Sequence, residues 1–501
     1  MPTFGSGLGI GGVASGLDTN TIISKLVQLE SIPIQQLNAK KAKHQEKLGG
    51  INRLKTLIQD LQTKAKAAST SANFLSYVVK SSVEGVAGFT VTGSAAAGAH
   101  TLTVQQLASI DRWAFDGVAS STTNLTAATG QTVNFTVNGT DYSVAVDPAE
   151  STLENIAQAI NTAATADLTA TVVNTGAGSN PSYKLVLTAK GSGEEARITN
   201  IASTVDGLTI DSTAPDDDGI AQSLNNITVG LNAFAIVDGL QVERTTNEFA
   251  GVINGVTFTA QSADPAAQMS FSIEPNKAAV KQKVTDLVDA YNAVINYANA
   301  QSTYTKEGGA SGVLFGDSLL SSVRRSIGSA LFNVPIDTVI NDTAGYSTLN
   351  VIGITTNRDG TLTIDQTKLD DKLANDLAAF ADLFVDRDGF DNGGAAVNTP
   401  EYYTDTTADS GLAATLVRAI DQMFGSSAGE GGTTIKALFD ARTETITGQM
   451  RDIDKQVLQK QTFIDSYEAS LIARFSSLES LIGKLNSQGA GFAAAIAGLN
   501  R

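Results

Sequence analysis

The chain contains no cysteine, which excludes disulfides, thiol catalysis and cysteine-based metal sites. It has only two histidines, His44 and His100, and neither has a second histidine four residues away. The residue patterns that bind a catalytic metal or form a nucleophilic triad are therefore missing. We predict that the chain is not an enzyme and needs neither a metal nor a cofactor.

Short motifs that imitate ligand sites lack the necessary context. Gly7–Gly12 (GLGIGG) has the spacing of a dinucleotide-binding loop, but no strand precedes it and the predicted helix begins several residues later. Asp386–Gly394 (DRDGFDNGG) and residues 215–219 (PDDDG) lack the calcium-loop spacing with its closing glutamate. Paired acids such as Glu194-Glu195 occur in hydrolases, but adjacent acids are more typical of solvated turns. We interpret all of these motifs as loops.

Charge is scarce and mostly negative, with a net charge of -17. The acid is concentrated between His100 and Glu274, which holds 19 Asp and Glu against 5 Lys and Arg. This charge disfavours binding to nucleic acid. No apolar run of about 18 residues occurs, and the N-terminus lacks the features of a cleaved signal peptide. We expect no membrane span, and a protein that is cytosolic or exported without a cleaved signal.

What the chain does contain is a set of long helical stripes. Its 501 residues exceed a single core and indicate about three or four domains. Apolar residues at steps of three and four near both ends, and once between them, predict helices of a coiled coil or bundle. The predicted coiled-coil and assembly interface comprises Ile22, Leu26, Leu29, Leu48, Ile51, Ile58, Leu61, Val280, Val284, Leu287, Tyr291, Val294, Ile446, Met450, Ile453, Val457, Ile464, Tyr467, Leu471, Phe475, Leu478, Ile482 and Leu485.

The first helix is predicted to begin after Asp18, whose carboxylate can accept hydrogen bonds from the first turn. Pro33 interrupts its apolar pattern, so we expect the stretch up to Leu37 to be marginal in isolation. Gly49-Gly50 is a further expected weak point. Because each helix has only a narrow apolar face, we predict that the first helix pairs with the last one.

A basic cluster follows on the first helix. A charged outer face is the ordinary explanation, and electrostatic docking to an acidic partner, such as the acidic β region of a second copy, is the functional alternative. The residues are Lys40, Lys41, Lys43, Lys47, Arg53 and Lys55.

Between Leu75 and Glu274 the composition shifts to Thr, Val, Gly, Ser and Ala in runs of period two, which predicts half-buried strands. Asn138-Gly139 predicts a tight hairpin turn. The segment STLENIAQAIN predicts a short helix with Ser151 as its N-cap and Glu154 completing a capping box.

These patterns predict an α+β, multidomain fold. A long antiparallel helical coiled-coil or bundle leg is built from both termini, and a β-rich head of two small domains is inserted between them. The predicted regions are a disordered or helical terminal region 1–40 that pairs with 465–501, a leg helix 41–75 that packs with 277–464, a proximal head domain 76–120 with 223–276, an inserted distal head domain 121–222, a helical leg 277–464 with a β hairpin near 353–365, and a terminal helix 465–501.

Five blocks, taken in order, resemble the flagellar filament cap family, also called hook-associated protein 2. They cover nearly the whole chain, and their combination is more specific than any single block. The blocks are GIGGVASGLDTNTIISKLVQLESIPIQQLNAKKA, LTVQQLAS, STLENIAQAIN with YKLVLTAKGSGE, VDGLQVERTTNEFAGVINGVTFT and GITTNRDGTLTIDQTKLDDKL.

The resemblance implies a secreted, homo-oligomeric ring at the tip of the bacterial flagellar filament, which retains exported flagellin and promotes its folding and insertion. It also implies type III export without a cleaved signal, an export chaperone, and contact with the adjoining hook–filament junction protein. Two alternatives stay open. The acidic head could be an adhesin that binds mucin or host glycans, or the chain could be a non-flagellar coiled-coil scaffold.

Overall fold

A computed structural model of the chain describes residues 14–176, 181–213, 223–303, 312–332, 346–396, 399–406, 411–425, 427–428 and 434–499. The chain divides into two compact units. The helical unit comprises Met1–Thr70 and Lys281–Arg501, and the β unit comprises Ser71–Val280. The predicted α+β, multidomain fold is confirmed, with the helical unit drawn from both ends of the chain. The motifs at Gly7–Gly12 and 215–219 lie outside the described residues.

The helices and short strands are ordered as follows. The helices are α1 Thr19–Lys66, α2 Ser71–Phe74, α3 Leu153–Ala163, α4 Lys277–Ser302, α5 Ser318–Phe332, α6 Gln366–Asn375, α7 Leu377–Asp382, α8 Leu412–Phe424 and α9 Leu438–Leu499. The strands of the β unit are β1 Tyr77–Ser81, β2 Ala87–Val91, β3 Gly98–Gln106, β4 Ile110–Ala114, β5 Gln131–Val137, β6 Thr140–Val146, β7 Leu168–Asn174, β8 Tyr183–Ser192, β9 Thr199–Ser203, β10 Asn226–Thr228, β11 Ala233–Val237, β12 Leu240–Arg244, β13 Glu248–Ile253, β14 Val256–Ala260 and β15 Met269–Pro275. The helical unit adds β16 Ile354–Thr356, β17 Leu362–Ile364, β18 Ser427–Ala428 and β19 Thr434–Ile435.

The first and last helices, α1 and α9, run antiparallel and pack against each other. Lys41 Nζ lies 2.5 Å from Asp454 Oδ1, and Lys55 Nζ lies 3.9 Å from Asp440 Oδ1. Fourteen residues therefore separate the two contacts on each helix, as expected for two helices packed side by side. The pairing of the first helix with the last one, expected from their narrow apolar faces, is present in the structure.

The start of α1 is as the sequence predicts, but its interior is not. Asp18 is the N-cap and accepts a hydrogen bond from the Thr21 backbone N–H at 3.0 Å. Pro33 interrupts the apolar pattern but not the helix, because it lies inside a continuous helix of 48 residues. An interior proline removes one backbone hydrogen bond and costs about 3 kcal/mol. Packing along α9 offsets that cost, which an isolated helix has no means of doing.

Gly50 is a close-packing position rather than a weak point. A Cβ at Gly50 would lie 3.0 Å from a Val313 methyl group and 3.2 Å from Leu314 Cγ. The Tyr297 hydroxyl donates to the Gly50 carbonyl oxygen at 2.9 Å. The absence of a side chain therefore lets the segment before α5 approach α1. The predicted stripe of α4 (Val280, Val284, Leu287, Tyr291 and Val294) is buried throughout.

The β unit consists of antiparallel sheets around two hydrophobic cores. One core lies among the five-stranded sheet β1-β15-β3-β11-β12 and the three-stranded sheet β13-β14-β2, around Phe249 and Phe258. The other lies among the four-stranded sheet β10-β4-β8-β7, the three-stranded sheet β6-β5-β9 and α3, around Phe115 and Phe135. The two cores agree with the expected head of two small domains, while the predicted domain boundaries stay predictions.

In the β unit, the predicted hairpin turn is confirmed and the predicted capping box is wrong. The turn at Asn138 and Gly139 has φ angles of 50° and 72°, and it joins β5 to β6 as predicted. The capping box at α3 is wrong, because Thr152 is the N-cap and accepts from the Asn155 N–H at 3.2 Å. Ser151 is fully buried and donates to the Thr126 carbonyl oxygen instead. Glu154 accepts from the Ser121 hydroxyl at 2.9 Å. Because Ser121 is distant in sequence, the local motif does not predict this partner.

Asp111 on β4 is a buried carboxylate that joins several segments of the β unit. Its side chain accepts from Trp113 Nε1 and from the Ile198 N–H, both at 2.8 Å. It also accepts from Asn226 Nδ2 at 3.2 Å and from the Gly230 N–H at 3.1 Å. All four donors are neutral, so hydrogen bonds alone replace the water that the carboxylate loses on burial.

Replacing Asp111 with Asn should destabilise the β unit by about 2–4 kcal/mol, because the new amide group would face N–H donors that are left buried without an acceptor. Trp113 is the only tryptophan of the chain and lies beside Asp111, so its fluorescence during urea unfolding reports this region. The control is Glu150→Ala, at an exposed position. A urea unfolding midpoint of Asp111→Asn equal to that of the control would contradict the stabilising role of Asp111.

Candidate assembly surface

The covered side chains of α1 follow heptad spacing, but the heptad contains polar residues. Steps of four and three connect ten of the side chains that are buried or partly buried between Ile23 and Lys55. They are Ile23, Val27, Glu30, Ile34, Leu37, Lys41, His44, Leu48, Ile51 and Lys55. Counting apolar residues alone misses this spacing, because Glu30, Lys41, His44 and Lys55 interrupt it. The same spacing counted regardless of polarity would have found it.

The predicted interface residues of α1 are accordingly divided. Ile51, Ile58 and Leu61 are buried, and Leu26 and Leu48 are partly buried. Ile22 is exposed, and Leu29 is 61% exposed, because the covered heptad passes through Ile23 instead. Within this single chain, Ile22 and Leu29 do not belong to the helix pair, and their part in assembly stays a prediction.

On α9 the predicted stripe is buried in its first two thirds and uncovered near its end. Ile446, Ile453, Ile464 and Leu471 are buried. A second group is partly buried and comprises Met450, Val457, Tyr467, Phe475 and Ile482. Leu478 is exposed, and Leu485 is 56% exposed.

An exposed apolar stripe runs along the end of α9. Leu478 and Leu485 belong to the predicted interface, and Leu481, Phe492 and Ile496, which were not predicted, are also exposed. Their steps of three, four, seven and four place them near one side of the helix. A contiguous exposed apolar stripe indicates an interaction surface. We name these five residues the outer stripe.

The chain segment before α1 is fastened to α9 at Glu479. The carboxylate accepts from the backbone N–H groups of Ala14 and Ser15 at 3.1 and 3.3 Å, and from the Ser15 hydroxyl. Asn486 Nδ2 donates to the Ala14 carbonyl oxygen at 3.2 Å. The Ser15 hydroxyl, together with the two N–H groups, lowers the pKa of the Glu479 carboxyl. A carboxylate is therefore the form that this contact favours.

The basic cluster is used only in part. Lys41 and Lys55 pair with Asp454 and Asp440 on α9, and the Lys55 ammonium also lies 5.6 Å from the centre of the Phe424 ring. The remaining members of the cluster form no ion pair with any described residue. They are Lys40, Lys43, Lys47 and Arg53. Docking of an acidic partner to these four stays a prediction.

The other residues singled out in the sequence occupy ordinary structural positions. His44 lies in the covered heptad, and His100 Nδ1 lies 2.7 Å from Asp238 Oδ2. Asp386 pairs with Arg418 at 3.2 Å, and Glu194 accepts from Arg197 at 3.5 Å. Among the described residues, no cluster of three or more acidic or histidine side chains could hold a metal ion. None of the described helices is long and apolar enough to span a membrane.

Replacing Glu479 with Gln should speed amide exchange of residues 14–22 roughly two- to tenfold, because the contact loses its charged acceptor. In the unchanged chain, acid should lower the protection of the same amides, measured relative to their intrinsic exchange rates at each pH. Folding lowers the pKa of the Glu479 carboxyl below 4.5, its value in the unfolded chain. The contact therefore stabilises the folded chain fully above pH 4.5, and this stabilisation is lost as the pH falls through the lower pKa of the folded chain. Hydrogen exchange with mass spectrometry measures both effects. Glu468→Gln, on the same helix, is the control, and equal exchange in the two variants would contradict the fastening role.

Comparison with known proteins matches this architecture along nearly its whole length. The family model "Flagellar hook-associated protein 2 N-terminus" matches residues 15–111, and "Flagellar hook-associated protein 2 C-terminus" matches residues 230–487. The B-type flagellar hook-associated protein 2 of Pseudomonas aeruginosa is 27% identical over 492 residues, covering 95% of this chain and 94% of that protein.

The flagellar hook-associated protein 2 of Escherichia coli K12 is 26% identical and covers 95% of both chains. The crystal structure of domains D1-D2-D3 of the flagellar cap protein from Escherichia coli has a similar fold. Its TM-score is 0.59 at 22% identity, and the match covers 79% of this chain and 99% of that one. With the family models matching more than half of its residues, the chain belongs to the flagellar hook-associated protein 2 family.

Proposed function

We propose that this chain caps the distal tip of the bacterial flagellar filament as a subunit of a homo-oligomeric ring. The ring retains exported flagellin and promotes its folding and insertion as the filament elongates. The observation that carries the proposal is the outer stripe, which the single chain leaves in water at the end of its longest helix. Family membership supports the tip of the filament as the place where this surface is covered.

The helix pair suits reversible docking. Its inner seam contains charged side chains, so part of the contact area contributes little hydrophobic stabilisation. Its outer side carries Leu478, Leu481 and Leu485 uncovered. Burying these side chains against neighbouring subunits or the filament would contribute roughly 1.5–3 kcal/mol each. Docking therefore supplies stabilisation that the chain by itself lacks.

The β unit supplies the part that retains flagellin. Its two ends lie next to each other. The Asn276 N–H donates to the Ser76 carbonyl oxygen at 2.8 Å, and β1 pairs with β15. An insert with adjacent ends can be carried without opening the helices on either side. The work of the cap is then done by shape and by exchange of helix contacts, with no catalytic step.

The proposal extends to export and to further partners. The chain leaves the cell through the flagellar type III route without a cleaved signal, escorted beforehand by an export chaperone. At the filament it first adjoins the hook–filament junction protein. Absence of cysteine suits a chain that passes unfolded through a narrow channel, because no disulfide can cross-link it on the way.

Replacing Leu478 with Asp should leave the β unit folded and abolish tip docking, because burial of an unpaired carboxylate costs several kcal/mol. In a strain that lacks the native cap, the variant should be secreted while flagellin accumulates in the medium as monomer. Immunoblots and electron microscopy measure both outcomes. Ser480→Asp adds the same charge at an exposed position on another side of the helix and should support normal filaments. Normal filaments with Leu478→Asp would refute the role of the outer stripe.

Removing Tyr77–Pro275 and joining Ser76 to Asn276 through a short glycine linker should give a soluble helical protein that no longer retains flagellin. Circular dichroism tests the helical content, and filament length in the cap-deficient strain tests retention. Filaments of full length would show that the β unit is dispensable for capping. Intact filaments in a strain lacking the whole chain would instead favour an adhesin or a scaffold.

A further inference from the structure

The helical unit contains a cavity of about 640 Å³ beside α8. This volume lies within the range of pockets that hold small ligands, about 300–1,000 Å³. The aromatic side chains of Phe390, Tyr402, Tyr403 and Phe424 line it. Asp386, Arg418 and Asp421 are the charged side chains in its wall. The cavity therefore combines aromatic rings with carboxylates.

One side of the wall already holds a guanidinium group in this way. Arg418 Nη1 lies 3.2 Å from a carboxylate oxygen of Asp386 and 3.2 Å from one of Asp405. The Arg418 guanidinium also lies over the Phe390 ring, 5.2 Å from its centre. Two nearly buried carboxylates and a ring thus hold one cation, a favourable arrangement for a guanidinium.

The other side has the same kinds of groups and less positive charge. Asp421 Oδ1 accepts from Gln62 Nε2, and Lys66 attracts the carboxylate electrostatically. Burial nevertheless raises the pKa of the Asp421 carboxyl, against the effects of Lys66 and Gln62. Burial, followed by the charge of Asp421, also raises the pKa of the Tyr403 hydroxyl. Asp421 therefore lines the cavity with Gln62 as a hydrogen-bond donor and Lys66 as a nearby cation.

The charges around the cavity favour a cationic occupant. Asp386, Asp405 and Asp421 carry three negative charges, against two positive charges on Arg418 and Lys66. Lys55, at the Phe424 ring, pairs with a further carboxylate, Asp440. An organic cation suits this wall better than a metal ion, because Arg418 occupies two of the carboxylates and the remaining lining includes four aromatic rings.

We propose that this cavity binds the arginine or lysine side chain of a partner protein, with the cationic group at Asp421 and the aliphatic stem against Tyr403 and Phe424. The occupant is a basic residue that the partner presents on its surface. This inference is independent of the cap function, since it concerns the lining of one cavity in the helical unit.

The test uses the full-length chain and two small probes that differ only in charge. N-acetyl-arginine methylamide carries the cationic side chain, and N-acetyl-citrulline methylamide is its neutral isostere. Calorimetry or ligand-observed NMR should show saturable binding of the arginine probe, with the citrulline probe at least about tenfold weaker. Equal binding of the two probes, or no saturation by the arginine probe, would overturn the proposal. Tighter binding of free agmatine than of the arginine probe would reassign the cavity to small cations and also overturn it.

Two variants locate the binding. Asp421→Asn should weaken the arginine probe about tenfold, whereas Asp452→Asn, at an exposed carboxylate of α9, should leave it unchanged. Tyr403→Leu keeps an apolar side chain but removes the ring, and it should weaken binding about threefold or more. Melting curves establish that each variant is folded. Unchanged affinity in either folded cavity variant would refute the assignment.

Discussion

The antiparallel contact between α1 and α9 is the constraint on which the helical unit depends. It joins segments more than 380 residues apart, from the Ala14 and Ser15 contacts with Glu479 to the pairing of Lys55 with Asp440. Closing so long a loop costs conformational entropy that local contacts do not repay. The seam is partly polar, and Lys41 and Lys55 each meet an aspartate on α9. Such pairs contribute little stability but favour one alignment of the helices over its neighbours.

Polar residues in the seam also explain why the outer stripe exists. A helix pair that covered every apolar residue of α9 would have no surface left for a partner. Here the inner seam buries Ile464 and Leu471, and beyond Leu471 the side chains of Leu478, Leu481 and Leu485 are exposed. The stable part of the pair therefore lies beside α4 and α8, and the part available for assembly lies towards the ends of the chain.

The β unit uses a different means of fixing its segments. Asp111 gathers backbone and side-chain donors from β4, β10 and the segment after β8, and no cation takes part among its four hydrogen bonds. The strands that meet there are far apart in sequence. A fully hydrogen-bonded carboxylate in such a place specifies one arrangement, because any other would leave it buried without partners.

The sequence by itself determined the helical stripes, the alternating strands, the cap at Asp18, the hairpin at Asn138 and the family resemblance. These features are local or periodic, and the chain expresses them wherever it folds. Only the tertiary structure decided that Pro33 lies inside a continuous helix, that Ile23 rather than Ile22 is covered, and that Thr152 caps α3. It also decided which carboxylates, such as Asp111 and Asp421, are buried. Each of these outcomes depends on which distant segment supplies the neighbouring atoms, and no spacing along the chain encodes that.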